Sequence, residues 1–96
     1  MHKPIVSIII TCYNLGEYLQ EAIDSIKRYP NHEDYEIILV NDGSTNENTK
    51  TIIEQLIQND PSINYINQIN LGLAKARNNG IKAAKGHYII PLDADN

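Results

Sequence analysis

The sequence has a single cysteine, no basic excess and no long apolar run, and each shortage narrows what the chain can be. A lone Cys12 closes no disulfide within the chain, and nothing beside it stands at zinc-ligand spacing. The composition therefore suits a reducing compartment and points to the cytoplasm. Eight Lys and Arg stand against twelve Asp and Glu, a formal net charge of -4, which leaves no surplus for a phosphate backbone or an anionic membrane. Nucleic acid is not an expected partner. No stretch approaches the roughly 18 consecutive apolar residues of a membrane helix. Lys3 followed by Ile5-Val6-Ser7-Ile8-Ile9-Ile10 imitates a secretion signal, but the run is too short and no small-residue cleavage site follows. Five glycines and four prolines are unexceptional beside 42% hydrophobic residues, so collagen-like, low-complexity and disordered readings have no compositional basis. One small packed domain is what 96 residues can hold.

Two nucleotide signatures are missing as well. No G-x-G-x-x-G follows the first apolar run and no G-x-x-x-x-G-K-[ST] occurs, which argues against a dinucleotide dehydrogenase and a P-loop NTPase. A nucleotide, if bound, would be held by side chains and a metal.

What is present is an alternation of two periodicities. The β-branched run up to Ile10 reads as a parallel-sheet strand buried on both faces, ending in the turn Thr11-Cys12-Tyr13-Asn14-Leu15-Gly16. From Glu17, the residues Leu19, Ala22, Ile23 and Ile26 fall on one helical stripe, which Tyr29-Pro30-Asn31 ends. Glu36 to Val40 predicts a second strand. Asn41-Asp42-Gly43-Ser44-Thr45 then forms a loop, with Ser44 or Thr45 capping the next helix. Ile52, Ile53, Leu56 and Ile57 mark that helix up to Asn59-Asp60-Pro61. A weaker strand around Ile63, Tyr65 and Ile66 leads through Asn70-Leu71-Gly72 to an alanine-rich helix, Leu73 to Lys85, with Gly86 as its terminator. His87 to Leu92 gives a fourth strand, in which Pro91 cannot donate to a ladder.

Strand and helix alternate without a long linker, so the predicted fold is α/β: an open, mainly parallel sheet with helices on both faces and strand order 3-2-1-4. Each polar cluster then follows the C-terminal end of a strand, the edge where open α/β sheets bind ligands. All of them are expected to line one crevice.

The clusters carry the following chemistry. Asp93 and Asp95 are carboxylates one residue apart, directly after an apolar strand. They repel unless a cation or proton lies between them, and a hard ion such as Mg²⁺ or Mn²⁺ accepts that arrangement. The bland alternative is an acidic surface turn. Asp42 can accept hydrogen bonds from a base or ribose, or belong to an ordinary Asx turn. Thr11 offers a hydroxyl, Asn14 an amide, and Tyr13 either a stacking face for a base or a partly buried ring with a polar handle. Lys75 and Arg77 lie near the start of a helix, an end that attracts anions, though each alone also fits a solvated polar face. His2, His32 and His87 occupy no spacing that suggests a metal or a triad.

Taken in order, Ser7 to Asn14, Val40 to Thr45, Asn70-Leu71-Gly72 with Ala76-Arg77-Asn78, and Leu92-Asp93-Ala94-Asp95 strongly resemble the nucleotide-binding half of family 2 glycosyltransferases, enzymes of the GT-A fold. The likeness covers essentially the whole chain. It implies a Rossmann-like half of that fold and an inverting transfer of a sugar from a nucleotide diphosphate donor, often a UDP-sugar, to a saccharide or other hydroxyl acceptor, in a setting such as polysaccharide biosynthesis. By the same resemblance Thr11 and Tyr13 look like contacts to the base, Asp42 like the carboxylate that meets uracil or ribose, and Asn70 and Arg77 like further nucleotide contacts. Asp93 looks like the residue near ribose and metal, and Asp95 like the direct ligand of Mn²⁺ or Mg²⁺.

Asn96 stands where the family frequently has another Asp, and no residue here matches the family's general base. Residues 1–96 are therefore expected to be the donor-binding part of a catalytic domain, truncated after D-x-D and inactive alone, with its missing portions able to hold the parent at the cytoplasmic face of the membrane. An exposed fourth strand is expected to promote self-association. Two alternatives remain at this point: a haloacid-dehalogenase-like phosphotransferase, whose nucleophile motif is also an apolar strand ending in D-x-D, and a nucleotide-binding module without catalysis.

Overall fold

The computed structural model describes residues 3–94. The strands are β1 (Val6–Cys12), β2 (Tyr35–Asp42), β3 (Asn64–Gln68) and β4 (Tyr88–Asp93), and the helices are α1 (Gly16–Lys27), α2 (Glu47–Asn59) and α3 (Leu73–Ala83). A short 3-10 turn, His32–Asp34, leads into β2. The sheet order is β3-β2-β1-β4 and every pairing is parallel, as the alternation predicts.

Both faces of the central strands β1 and β2 are covered because their successive side chains point to opposite sides and both sets are apolar. Ile10 and Cys12 of β1 and Ile37 and Leu39 of β2 join Leu19, Ile23 and Ile26 of α1 and Ile53 and Leu56 of α2 in one cluster. Ile9, Ile38 and Val40 point the other way and meet Ala76 of α3. The small residues Ala76 and Gly80, one turn apart, let α3 lie close on this face: a Cβ at Gly80 would stand 2.4 Å from Ile9 Cγ2.

Three local expectations are corrected. The second strand runs past Val40 to Asp42, because Asn41 and Asp42 pair with Asn67 and Gln68 of β3. Their turn propensity yields to the ladder of an interior strand. Helix α2 is capped by Asn46, whose side chain accepts from Thr49 N at 2.9 Å, and not by Ser44 or Thr45. Helix α3 ends at Ala83, with Ala84 already extended, so Gly86 is not its terminator. Gly86 instead donates its N–H to Ser7 Oγ at 2.8 Å, in a place where a Cβ would meet the Ser7 backbone N at 2.8 Å.

Candidate functional site

The four strands end on one side of the sheet around a cavity of about 390 Å³. Thr11 and Tyr13 reach it from the end of β1, Asp42 from the end of β2, Asn70 and Gly72 from the segment after β3, and Asp93 from the end of β4. Five residues singled out from the sequence thus meet in one place although up to 82 positions separate them. Tyr13 leaves 38% of its surface exposed, enough to present a ring face. Arg77 is not part of the lining and instead reaches Asp93 Oδ1 at 3.4 Å from α3. Asp95, the residue given the metal by resemblance, lies outside the described residues, as does Asn96.

Asp42 is buried, and its carboxylate is occupied by the protein itself. Oδ1 accepts from Gln68 Nε2 and from Leu71 N, both at 2.8 Å, and Oδ2 accepts from Gly72 N at 3.1 Å. These bonds fasten the turn before α3 to the end of β2. The next residue, Gly43, has φ 68°, and a Cβ there would stand 2.6 Å from Asn70 N. Glycine is needed at this point both for the left-handed backbone and for the approach of Asn70.

Asn14, whose amide the first loop offers beside the crevice, does not line the cavity but anchors that loop. Its φ of 55° is left-handed, a conformation asparagine tolerates better than most residues. From that turn its Oδ1 accepts from Thr45 N at 2.8 Å and Asn46 N at 2.9 Å, while its own N–H donates to Ser44 Oγ at 3.0 Å. The loop carrying Tyr13 is thereby bolted to the start of α2. The signal that would have found it is an Asn followed by Leu-Gly at a strand end, a turn in which the side chain bonds nearby backbone.

The electrostatics of the pocket come from two carboxylates, Asp42 and Asp93, and the Arg77 guanidinium beside the second. Among the described residues, both donors to Asp93, Thr11 Oγ1 at 2.8 Å and Arg77 at 3.4 Å, go to Oδ1. The Asp93 carboxylate, a hard oxygen ligand with its Oδ2 free of these donors, fits a divalent cation that shares its shell with water and phosphate. Among the described residues no three His, Cys, Asp or Glu side chains come together as a cage. Burial pushes the Cys12 thiol up, against hydrogen bonds from Leu15 and Ser44 that act the other way, so this residue serves the core and not nucleophilic chemistry.

Comparison with known proteins identifies the family. The family described as glycosyl transferase family 2 matches residues 7–96. An uncharacterized glycosyltransferase, EpsJ of Bacillus subtilis (strain 168), is 47% identical over 93 residues, 97% of this chain and 26% of that protein. Chondroitin synthase of Pasteurella multocida (strain Pm70) is 40% identical over 93 residues, 97% of this chain and 9% of that protein. Among solved structures, S. aureus TarS 1-349 in complex with UDP superposes with a TM-score of 0.81 at 28% identity, covering 94% of this chain and 27% of that one. The mannosyltransferase PcManGT from Pyrobaculum calidifontis, in complex with GDP-Man and Mn²⁺, shares the fold with a TM-score of 0.80 at 23% identity, covering 99% of this chain and 28% of that one. The chain thus spans about a quarter of EpsJ and under a tenth of the synthase. The match leaves the haloacid-dehalogenase-like alternative without support.

Proposed function

The chain belongs to glycosyl transferase family 2, and on that premise we propose that residues 1–96 are the donor-binding part of a longer, inverting glycosyltransferase. In this reading the parent moves a sugar from a nucleotide diphosphate, a UDP-sugar, to the hydroxyl of a saccharide or other acceptor. The observation that carries it is the meeting of Thr11, Tyr13, Asp42, Asn70 and Asp93 around one cavity at the strand ends. Tyr13 supplies a face for the base, worth about 1–3 kcal/mol where bases stack on aromatic rings. Thr11 and Asn70 supply polar contacts, and Asp42 accepts from base or ribose with the capacity its protein donors leave free. Arg77 contributes a further nucleotide contact.

Asp93 takes the ribose side and, with Asp95, would hold Mn²⁺ or Mg²⁺. When bound, such an ion offsets the negative charge that develops on the departing diphosphate. The general base and the acceptor subsite belong, on this reading, to residues outside the chain, which agrees with its covering only 26% of EpsJ. For location we propose the cytoplasm, with the rest of the parent able to hold it at the cytoplasmic face of the membrane. No helix among the described residues is long and apolar enough to cross one.

The test is a calorimetric titration of UDP into the full-length protein with and without Mn²⁺. Clear enhancement by the ion is expected, since two carboxylates leave most of its oxygen shell to water and phosphate. Asp95→Ala should abolish the enhancement with the fold intact. Equal enhancement in wild type and Asp95→Ala overturns the ligand assignment, and no binding of UDP or GDP under either condition overturns the donor reading.

A further inference from the structure

Gln68 and Asn79 stand outside the residues proposed to meet the nucleotide, yet they hold the most deeply set of them. Gln68 is the register partner of Asp42 at the last paired position of β2 and β3, and its Nε2 donates to Asp42 Oδ1 at 2.8 Å. Asn79, on α3, donates its Nδ2 to Gln68 Oε1 at 2.5 Å. Chemistry dictates the order of this chain. A carboxylate only accepts, so Gln68 must turn its NH₂ toward Asp42 and its carbonyl away, and the Asn79 NH₂ is what meets that carbonyl. With the Gln68 amide reversed, a carbonyl oxygen would face a carboxylate oxygen with no proton between them. Asp42 therefore selects the amide orientation of Gln68, and Asn79 holds the amide in it by meeting its carbonyl.

The consequence reaches the cavity. Oδ1 of Asp42 is filled by two N–H donors, Gln68 and Leu71, whereas Oδ2 accepts from Gly72 N at 3.1 Å and by lone-pair count has room for one more donor. Locking one oxygen to β3 and α3 fixes which oxygen is offered to a ligand, and it holds the 70–72 turn at the rim. We propose that Gln68 and Asn79 are positioning residues for donor binding: Asn79 holds the Gln68 amide in place, and the amide in turn holds the Asp42 carboxylate and the turn it fastens. The inference rests on the nucleotide-binding reading of this cavity.

Two readouts keep the relay and that reading apart. Hydrogen–deuterium exchange at Leu71 and Gly72 in the ligand-free, full-length protein reads the relay alone, and UDP titration in the presence of Mn²⁺ reads its effect on binding. Gln68→Leu and Asn79→Ala are each expected to speed exchange at 71–72 and to weaken UDP about tenfold, the size of one lost hydrogen bond to a charged group. In the double variant Asn79→Ala should add nothing to Gln68→Leu, because its action passes through the amide. Gln68→Glu places a second carboxylate against Asp42, and the two repel once the proton they share is lost. UDP affinity in that variant should be best in acid, where a shared proton bridges the pair, and should fall about tenfold or more toward pH 8 relative to wild type. The other charged groups at this end of the sheet, Asp93 on β4, Lys75 and Arg77 on α3, and Glu47 and Lys50 on α2, are common to both proteins and cancel in the comparison.

A packing role for residue 68 would leave the pH profile flat. Additive effects of the two substitutions, or unchanged exchange and affinity in folded variants, overturn the relay while leaving the donor reading standing. Failure of wild type to bind UDP, with the exchange pattern as expected, instead overturns the donor-binding half of the proposal. Should Gln68→Leu unfold the protein, Asn79→Ala and the Gln68→Glu pH profile decide the matter.

Discussion

The Thr11 hydroxyl donates to Asp93 Oδ1 at 2.8 Å, joining two residues that are also register partners in the β1–β4 ladder. The backbone adds a second tie, since Ala94 N donates to Thr11 O at 3.0 Å. The carboxylate at the head of the D-x-D is thus held from the central strand and, through Arg77, from α3. Thr11→Val keeps the shape and removes the hydroxyl. We expect it to lower stability by about 1 kcal/mol in urea unfolding and to weaken the Mn²⁺-dependent part of UDP binding. An unchanged metal enhancement would mean that the ladder and Arg77 suffice to aim Asp93.

Asn14 allows backbone conformation and side-chain bonding to be separated. Asn14→Gly keeps access to φ 55° and loses the bonds to Thr45 N and Asn46 N, whereas Asn14→Ala loses the bonds and also strains the backbone. Thermal unfolding should rank wild type above Asn14→Gly and Asn14→Gly above Asn14→Ala, with steps of roughly 1 kcal/mol. Because Tyr13 precedes this turn, both variants should also bind UDP more weakly. Equal stability of the Gly and Ala variants would show that the left-handed turn relaxes when the amide is gone.

The fold was legible in the sequence because its signals are regional. Runs such as Ile8 to Ile10 and Glu36 to Val40 state a buried strand by composition, and the stripe of Leu19, Ile23 and Ile26 states a helix by period. The positions of Thr11, Tyr13, Asp42, Asn70 and Asp93 around one cavity follow from topology, since a parallel sheet brings all its strand ends to one side. What was not legible depends on pairing across the fold. Asn41 and Asp42 look like a loop until β3 pairs with both and β1 with Asn41, and Ser44 looks like a cap until its hydroxyl accepts from Asn14 N. The occupation of Asp42 by Gln68, Leu71 and Gly72 is of the same kind, because no local pattern announces a donor 26 to 30 residues away.

Far from the cavity, Lys27 of α1 and Asp60 after α2 form an ion pair that ties the ends of the two helices. Burial acts to raise the Asp60 carboxyl, but the Lys27 ammonium and the bonds from Ser62 together outweigh it and hold the group below its ordinary value. A depressed carboxylate contributes stability that is present above its unfolded value and is lost as pH falls through the folded one. The pair should therefore support the fold at neutral pH and fail below about pH 4. Because both side chains are partly exposed, solvent screening limits the effect to under about 1 kcal/mol. Urea unfolding of Asp60→Asn at pH 7 and pH 3 should show a deficit at the higher pH that shrinks at the lower. A deficit of equal size at both would assign the loss to packing.

The last prediction concerns β4. Among the described strands it pairs with β1 alone, and Tyr88, Ile89 and Ile90 are exposed by 68%, 39% and 51%. An apolar groove of about 410 Å³ continues the patch through Ile5, Ile8, Tyr29 and Tyr35 at the end of the sheet opposite the cavity of Thr11, Asp42 and Asp93. An unpaired strand bearing apolar side chains is a template for another chain, and a charge placed on it blocks that pairing. We therefore expect the 96-residue polypeptide, prepared by itself, to self-associate in light scattering as its concentration rises, and Ile90→Lys to suppress the association without loss of helix signal. The same substitution in the full-length protein tests what normally covers the strand. If further polypeptide packs on β4, Ile90→Lys should there become destabilising by about 2 kcal/mol or more, the penalty of a charge forced against apolar neighbours. A polypeptide that stays monomeric at high concentration, together with a full-length variant as stable as wild type, would show that this edge is meant for water.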